Sequence, residues 1–178
     1  MIETRIIDEL HKNDVKLKNC SFDLNGRMLV SRTNGEWKYD IEKLPESDVS
    51  RMTFPDEDYD YDEMVKSTIF IGAYDGDKCV GLLILQSGFF KYMYIYDLKV
   101  NSDYRRKGVA TKLIDHAGKI ATEKGKRGLY LQAQDNNLVA CCFYISAGFR
   151  IGGLDTDVYI GTKQEGKSDI IFYKDCFK

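Results

Sequence analysis

The most constraining feature of the sequence is a short basic turn that joins an apolar segment to an amphipathic one. Residues 91–100 are rich in Tyr, Ile and Val and predict a strand, and residues 109–121 carry apolar side chains at helical spacing. Between them, residues 105–108, here called the basic turn, have the sequence Arg-Arg-Lys-Gly. A helix that begins directly after such a turn offers unpaired N–H groups and the positive end of its dipole to an anion. The pattern therefore predicts either an anion-binding turn or an ordinary basic loop before a helix.

The order of the predicted elements indicates an α/β (α+β) fold with a mixed, twisted sheet flanked by helices. The length of 178 residues suits one domain, so we expect a single domain with a strand-rich part at residues 1–66 and a core at residues 67–178. Asn34-Gly35 predicts a hairpin turn. The predicted strands are residues 27–32, 36–41, 68–74, 78–86, 91–100, 129–133, 149–160 and 169–177, the predicted helices are residues 59–66, 109–121 and 138–145, and residues 42–58 are a predicted polar connection.

Charge is distributed unevenly, although 26 Lys and Arg residues nearly balance 28 Asp and Glu residues. Residues 56–63, here called the acidic segment, hold six acidic residues and no basic one, whereas residues 99–127 hold nine basic and three acidic residues. This contrast predicts two binding surfaces of opposite sign. A carboxylate-lined cleft attracts a cationic amine and raises its local concentration, so Asp56, Asp58 and Asp60 are candidates for binding one. The alternative is that the acidic segment is a solvated loop.

The cysteine content predicts a cytoplasmic protein without a disulfide framework. The five cysteines are an odd number, and no CxxC or Cys/His spacing typical of a metal site occurs. The N-terminal residues lack the apolar core of a signal peptide, and the apolar run 79–85 is too short to span a bilayer. The basic region lacks interleaved aromatic residues and the net charge is -2, which argues against nucleic acid. We therefore expect neither a metal nor a membrane or nucleic-acid partner, while a homodimer is left open.

The region of the basic turn resembles the pyrophosphate loop of the GNAT superfamily of N-acetyltransferases. In that loop an Arg or Gln is followed after two residues by Gly, and after one more by Gly or Ala, and Arg105, Gly108 and Ala110 match these positions. The resemblance implies acetyl-CoA as the cofactor, with its pyrophosphate at the start of the helix and its pantetheine arm along the preceding strand. The residues that it implies for binding acetyl-CoA are Leu98, Lys99, Val100, Arg105, Arg106, Lys107, Gly108, Val109, Ala110, Thr111, Asn137 and Tyr144.

A second motif of the same superfamily follows one predicted helix and one predicted strand later. GNAT enzymes commonly carry Asn, then Ala three residues on, Tyr four residues further and Gly-Phe after that, and Asn137, Ala140, Tyr144 and Gly148-Phe149 agree. Asn137 and Tyr144 are seven residues apart and so share one face of a helix. The resemblance implies that Tyr144 is the general acid that protonates the departing thiolate of CoA. The alternative is a half-buried tyrosine of the helix.

Much of the chain resembles the streptothricin acetyltransferases in more detail. The resemblance covers about residues 20–178 and is carried by residues 134–144, by Gly148-Phe149 and by the acidic segment upstream of the core. It implies that the acceptor is an amine of a polycationic antibiotic, which acetylation inactivates. Two alternatives stay open: acetylation of another amine (an aminoglycoside, a polyamine, a protein N-terminus or a lysine), and a CoA-binding module without transferase activity.

The strand before the basic turn departs from the family at the position of the general base. An alkylammonium must lose a proton before its nitrogen attacks a thioester, and many GNAT members carry a Glu on this strand. Tyr96 stands at that position here, and Asp97 follows it. We therefore expect Asp97 to act as the base, directly or through water, or only to brace the strand, while Tyr96 contacts the acceptor. Asp155 is a further candidate for binding a cationic acceptor.

Overall fold

The computed structural model describes residues 1–88 and 90–177 of the chain. Within them the chain forms two compact units. The first unit comprises Met1–Cys20, Thr53–Leu129 and the residues from Asp175 onward, and the second comprises Ser21–Met52 and Tyr130–Lys174. Each unit is therefore assembled from segments that lie far apart in sequence.

The described residues form strands, α-helices and 3₁₀ helices. The strands are β1 (Ile2–Ile6), β2 (Phe22–Leu24), β3 (Gly26–Thr33), β4 (Glu36–Lys43), β5 (Ser50–Met52), β6 (Thr68–Asp75), β7 (Lys78–Ser87), β8 (Tyr92–Val100), β9 (Gly128–Gln134), β10 (Arg150–Asp155) and β11 (Asp169–Asp175). The α-helices are α1 (Tyr61–Met64), α2 (Val109–Glu123) and α3 (Leu138–Ser146). The 3₁₀ helices are Glu9–Lys16, Glu46–Asp48 and Ser102–Tyr104.

The first unit is centred on four antiparallel strands in the order β1-β6-β7-β8. Helix α2 packs on this sheet and buries Val109, Leu113 and Ala117. The opposite face is covered as well, because alternate residues of the same strands point there. The apolar cluster on that face consists of Ile7, Val15, Tyr59, Phe70, Leu82 and Ile84. The strands of the first unit are therefore held between two apolar layers.

The second unit contains three adjacent strands in the order β9-β11-β10, two short strand pairs and α3. The hairpin predicted at Asn34-Gly35 is confirmed as β3 and β4. Asn34 and Gly35 have φ values of 52° and 85°, the left-handed conformation that a two-residue type I′ turn requires. Helix α3 contacts β3 and the neighbouring strand β2, so the hairpin packs against the helix through its first strand.

Most long predicted elements are confirmed, and the differences concern strand ends and short strands. The strand predicted for residues 149–160 ends at Asp155, because the Asp155 carboxylate accepts hydrogen bonds from the backbone of Asp157 and Val158 and turns the chain. The connection predicted for residues 42–58 contains β5. None of the helices among the described residues is long and apolar enough to cross a membrane.

Candidate active site

The backbone of the basic turn is shaped to receive an anion. Arg106 and Gly108 have φ values of 58° and 78°, and left-handed residues in a turn direct neighbouring N–H groups to one side, as in anion-binding nests. Gly108 is also the N-cap of α2 and has no side chain to occupy the unpaired N–H groups of the first helical turn. A Cβ placed at Gly108 would have no neighbour within 4 Å, so the space in front of the helix is open.

The cationic side chains of the basic turn are exposed. The Arg105 guanidinium donates to the carbonyl oxygens of Cys20 and Val100 at 3.1 and 3.4 Å. Within the described part of the chain, neither Arg106 nor Lys107 forms an ion pair with a carboxylate. The turn therefore combines N–H donors, positive charge and open space, and these residues fit the pyrophosphate of a CoA ester.

The elements on both sides hold the basic turn in place. Val109 and Leu113 are buried against β7, where a Cβ added at Gly81 would lie only 3.0 Å from Val109 Cγ1. The absence of a side chain at Gly81 thus lets the start of α2 approach the sheet closely. Before the turn, residues 98–100 pair with residues 81–83 of β7. Residues 98–100 and 105–111, which we predicted to bind acetyl-CoA, therefore form one continuous strand–turn–helix.

A β-bulge in β8 brings Tyr96 and Asp97 to the same face of the sheet. The pairing with β7 shifts between residues 84 and 85, which leaves Tyr96 as an extra residue in the ladder. Neighbouring residues of a regular strand point to opposite faces, but here Tyr59 touches both. Its hydroxyl donates to Asp97 Oδ2 at 3.0 Å, and its ring packs edge-on against Tyr96 at a centroid distance of 6.1 Å. Tyr94 packs in the same way on Tyr96, so Tyr96 lies between two tyrosine rings, one of which also binds Asp97.

Asp97 belongs to a set of charged residues with Lys99 and Glu57, here called the Asp97 cluster. The Lys99 ammonium lies 3.2 Å from Asp97 Oδ2 and also contacts Glu57 Oε2. The side chains of Lys99 and Asp97 are only 6% and 19% exposed, whereas that of Glu57 is 40% exposed. The ring of Tyr59 lies 5.1 Å from the same ammonium, within cation–π range. One ammonium thus contacts two carboxylates, so the cluster has one negative charge in excess when both carboxylates are ionised.

The surroundings of Asp97 prepare its carboxylate to accept a proton. Burial raises the pKa of Asp97, the Lys99 ammonium and the Tyr59 hydroxyl partly offset this rise, and the Glu57 carboxylate adds to it. A raised pKa brings a carboxyl group closer to the range in which general bases work near neutral pH. Burial and the Asp97 charge also raise the pKa of Tyr59, so Tyr59 stays the donor in its hydrogen bond with Asp97.

The carboxylates of the acidic segment are largely paired within the first unit. The ion pairs are Asp56 with Lys18 (3.0 Å), Asp58 with Lys16 (2.9 Å) and Asp62 with Lys12 (3.1 Å). The backbone N–H of Asn19 and the Lys18 ammonium lower the pKa of Asp56. Asp60 is the N-cap of α1 and accepts from the Glu63 backbone N–H at 3.1 Å. Acceptor binding by Asp56, Asp58 and Asp60 stays a prediction, and each of these side chains also has a structural partner.

In the second unit, Tyr144 lies half-buried on α3 among aromatic rings. Its neighbours are Phe143, Phe149 and Phe172, at centroid distances of 5.5, 5.7 and 5.6 Å. The Phe149 N–H also donates to the Tyr144 carbonyl oxygen at 3.0 Å, just after Gly148 ends the helix with a φ of 85°. The predicted Tyr-Gly-Phe motif therefore builds the C-terminal end of α3 and fixes the tyrosine ring. Its role as general acid stays a prediction.

Asn137, the other predicted residue of this motif, begins α3. Its side-chain oxygen accepts from the Ala140 backbone N–H at 3.4 Å, and its own N–H donates to the Gln134 carbonyl oxygen at 3.0 Å. An Asn at this place is a preferred N-cap. The helix start accounts for Asn137 in structural terms, and a contact with acetyl-CoA stays a prediction.

Asp155 lies at the end of β10, directly opposite Asp169 of β11. Its Oδ1 accepts from the backbone N–H groups of Asp157 and Val158 at 3.0 and 3.1 Å. Asp169 is buried and accepts the Tyr159 hydroxyl at 2.7 Å. Burial raises the pKa of Asp169, and the Asp155 carboxylate adds to the rise. Asp155 therefore shapes the turn after β10, and its predicted role in acceptor binding is untested.

Sequence reasoning missed three side chains of the first unit that surround Asp97. The sequence predicts a cofactor contact for Lys99 through its backbone, gives Glu57 only a share in the field of the acidic segment, and gives Tyr59 no role. One signal was available: residues two apart in a strand share a face, so Lys99 was placed to meet the Asp97 carboxylate. No comparable signal in the sequence links residues 57 and 59 to β8, because that contact is made across about forty residues.

Comparison with known proteins gives consistent matches over most of the chain. The sequence matches the acetyltransferase (GNAT) family over residues 37–149. It is 33% identical to streptothricin acetyltransferase A of Bacillus subtilis (strain 168) over 164 residues, which is 92% of this chain and 94% of that protein.

Solved structures agree with this match. A Bacillus anthracis (strain Ames) protein assigned as a streptothricin acetyltransferase, solved with acetyl coenzyme A, superposes with a TM-score of 0.87 at 28% identity, covering 98% of this chain and 99% of that one. A nourseothricin acetyltransferase shares the fold with a TM-score of 0.80 at 23% identity, covering 99% of each chain. The predicted fold class, a GNAT-like α/β (α+β) arrangement, is confirmed. This chain belongs to the acetyltransferase (GNAT) family.

Proposed function

We propose that this protein is an acetyl-CoA-dependent N-acetyltransferase that acetylates a primary amine of a streptothricin-type antibiotic and so confers resistance. The observation that carries the proposal is the anion-ready strand–turn–helix at residues 98–111, in a chain that matches a streptothricin acetyltransferase over 92% of its length. The relative solved with acetyl coenzyme A supports the same donor for this chain.

The donor side of the reaction is assigned to the strand–turn–helix of the first unit. Acetyl-CoA supplies an acetyl group activated as a thioester. The N–H groups that follow Arg106 and Gly108 are placed to bind the pyrophosphate, and the cations of the basic turn add attraction. The backbone of residues 98–100 pairs with β7 on one side, and its opposite side is proposed to bind the pantetheine arm and the thioester carbonyl.

The acceptor side is assigned to β8 and the Asp97 cluster. Asp97 takes a proton from the acceptor ammonium, so that the neutral nitrogen can attack the thioester carbon. The cluster carries one uncompensated negative charge, which suits a cation, and the proton taken up neutralises that charge. Tyr96, which is 48% exposed, and Tyr94 offer ring faces for cation–π contact with the same ammonium. At the position where many family members carry a Glu, this chain thus has Tyr96 as an aromatic contact for the acceptor. The base is the next residue of the strand, Asp97.

The leaving group is assigned to the second unit. As the C–S bond breaks, the Tyr144 hydroxyl donates its proton to the departing sulfur, and the second proton that the nitrogen loses on forming the amide restores that hydroxyl. The surrounding phenylalanine rings hold the side chain in place. We propose that residues 1–178 act as one catalytic domain, because the match to streptothricin acetyltransferase A covers 92% of this chain. All five cysteines are free thiols, which supports a reducing, cytoplasmic location.

The test measures release of the CoA thiol from acetyl-CoA with a panel of amines: streptothricin, an aminoglycoside, a polyamine and a lysine peptide. We expect release with streptothricin far above that with the other amines. Release driven mainly by another amine would contradict the acceptor assignment. CoA binding without release for any amine would contradict the transferase assignment.

The same assay tests the proton donor. Tyr144→Phe removes only the hydroxyl, and we expect kcat to fall about 100-fold or more with little change in KM. Tyr39→Phe, on the exposed hairpin of the second unit, is the matched control and leaves kcat unchanged. Equal turnover of Tyr144→Phe and the wild type across pH would exclude the acid role.

A further inference from the structure

We propose that the Lys99 side chain is a positioning residue that tunes the base Asp97, and that Glu57 limits its effect by sharing the ammonium. The inference rests on the proposed function, because it takes Asp97 as the base. It goes further by assigning opposite effects on Asp97 to the Lys99 and Glu57 side chains.

The geometry isolates Lys99 between its two carboxylates. Its side chain is only 6% exposed, and its ammonium contacts both Asp97 and Glu57. The Tyr59 ring lies 5.1 Å from the ammonium, and the Tyr59 hydroxyl donates to Asp97. Strand β8 fixes the relation between Lys99 and Asp97, since residues two apart on a strand share a face. A solvent-exposed lysine would move freely and be screened by salt, whereas this one is held and shielded.

Three groups act on the Asp97 carboxyl within the described residues: Lys99 of the same strand, and Glu57 and Tyr59 of the acidic segment. The Lys99 ammonium and the Tyr59 hydroxyl favour the ionised carboxylate, and the Glu57 carboxylate disfavours it. Burial disfavours the ionised form most strongly. Lys99 therefore favours the ionised form of the buried Asp97, which can accept a proton, while the Glu57 carboxylate opposes that effect.

Removing the Lys99 charge and removing the Glu57 charge should shift the acid limb of the kcat/KM profile in opposite directions along the pH axis. Without the Lys99 ammonium, the pKa of Asp97 rises, so the acid limb of kcat/KM moves to higher pH. Without the Glu57 charge, the pKa of Asp97 falls, so the acid limb moves to lower pH. A cation within about 4 Å shifts a carboxyl pKa by about one unit or more, so we expect Lys99→Met to move the limb up by about one pH unit. We expect Glu57→Gln to move it down by less, because Glu57 does not contact Asp97 directly.

The experiment records kcat/KM against pH for the full chain with acetyl-CoA and one acceptor amine. Because the acceptor's own ionisation is the same for every variant, differences between profiles report the enzyme. Lys99→Arg keeps the charge and should restore the acid limb toward the wild-type position. Glu63→Gln is the matched control for Glu57→Gln: it removes one exposed charge from the same segment without acting on Asp97, and its limb should stay in place.

The outcomes separate this inference from the proposed function. A loss of the acid limb in Asp97→Asn, with opposite shifts in Lys99→Met and Glu57→Gln, supports both. The same loss with unmoved limbs in Lys99→Met and Glu57→Gln would overturn the role of Lys99 and leave Asp97 as the base. Full activity and an unshifted profile in Asp97→Asn would overturn both. Glu57 is partly exposed, so Glu57→Gln decides the question even if Lys99→Met does not fold: an unmoved or upward limb contradicts the inference.

Discussion

The basic turn and the acidic segment both lie in the first unit, and each carries a run of like charges. The turn keeps Arg106 and Lys107 exposed and, among the described residues, outside any ion pair. The acidic segment instead gives its carboxylates to lysines, to a helix cap and to the Asp97 cluster. The number of charged residues in a segment therefore does not show how much unpaired charge the segment presents to a ligand. What matters is whether the fold supplies internal partners.

Among the predictions for these two regions, the largest effect is expected from the backbone of the basic turn. Gly108→Val places a branched side chain over the N–H groups at the start of α2 and strains a residue whose φ is 78°. Loss of charge-assisted hydrogen bonds to the pyrophosphate, about 1.5–3 kcal/mol, should raise KM for acetyl-CoA about 10- to 100-fold. Steady-state kinetics at a saturating acceptor concentration measures this KM.

A matched control separates anion binding from backbone strain. Gly76 has a φ of 61° and equally open space, but it lies in the turn between β6 and β7. Gly76→Val should lower stability by a similar amount, about 1–2 kcal/mol, and leave KM for acetyl-CoA unchanged. Equal KM changes in the two variants would show that Gly108 matters only for folding.

A smaller effect tests the cations of the basic turn. The double variant Arg106→Gln, Lys107→Gln should raise KM for acetyl-CoA about 2- to 30-fold at low ionic strength, because each of the two exposed contacts contributes about 0.2–1 kcal/mol. The difference should shrink at about 1 M salt, where charges are screened within about 3 Å. The exposed pair Lys119 and Lys124, changed to Gln together, controls for net charge. A salt-independent difference would contradict electrostatic binding.

The smallest effect is expected in the acidic segment. Asp58 is 90% exposed and paired with Lys16, so Asp58→Asn should change KM for streptothricin less than about two-fold, since an exposed ion pair contributes little. The measurement is made at low salt, where steering is strongest. A several-fold rise in KM there, abolished by salt, would show that the segment attracts the acceptor in spite of its internal ion pairs.

Most of the longer strands, the helices and the motif residues were predictable, because each has a local signal in the sequence. The Asn34-Gly35 turn fixes a hairpin, and Gly108 and Gly148 stand where the backbone takes a positive φ. The short strands β2 and β5 carry too few residues for an alternating pattern to show. The Asp97 cluster was not predictable, since its members come from segments about forty residues apart and no local pattern encodes that contact.

The bulge at Tyr96 also bears on how such an enzyme could change its acceptor during evolution. The register of β8 is intact on both sides of the bulge, so the extra residue is not needed to align Leu98–Val100 with β7. If Tyr96 contacts the acceptor amine as proposed, a substitution at position 96 alters that contact while residues 98–100 stay in register with β7. A change of acceptor by this route needs no change in the pairing of β8 with β7 on either side of the bulge.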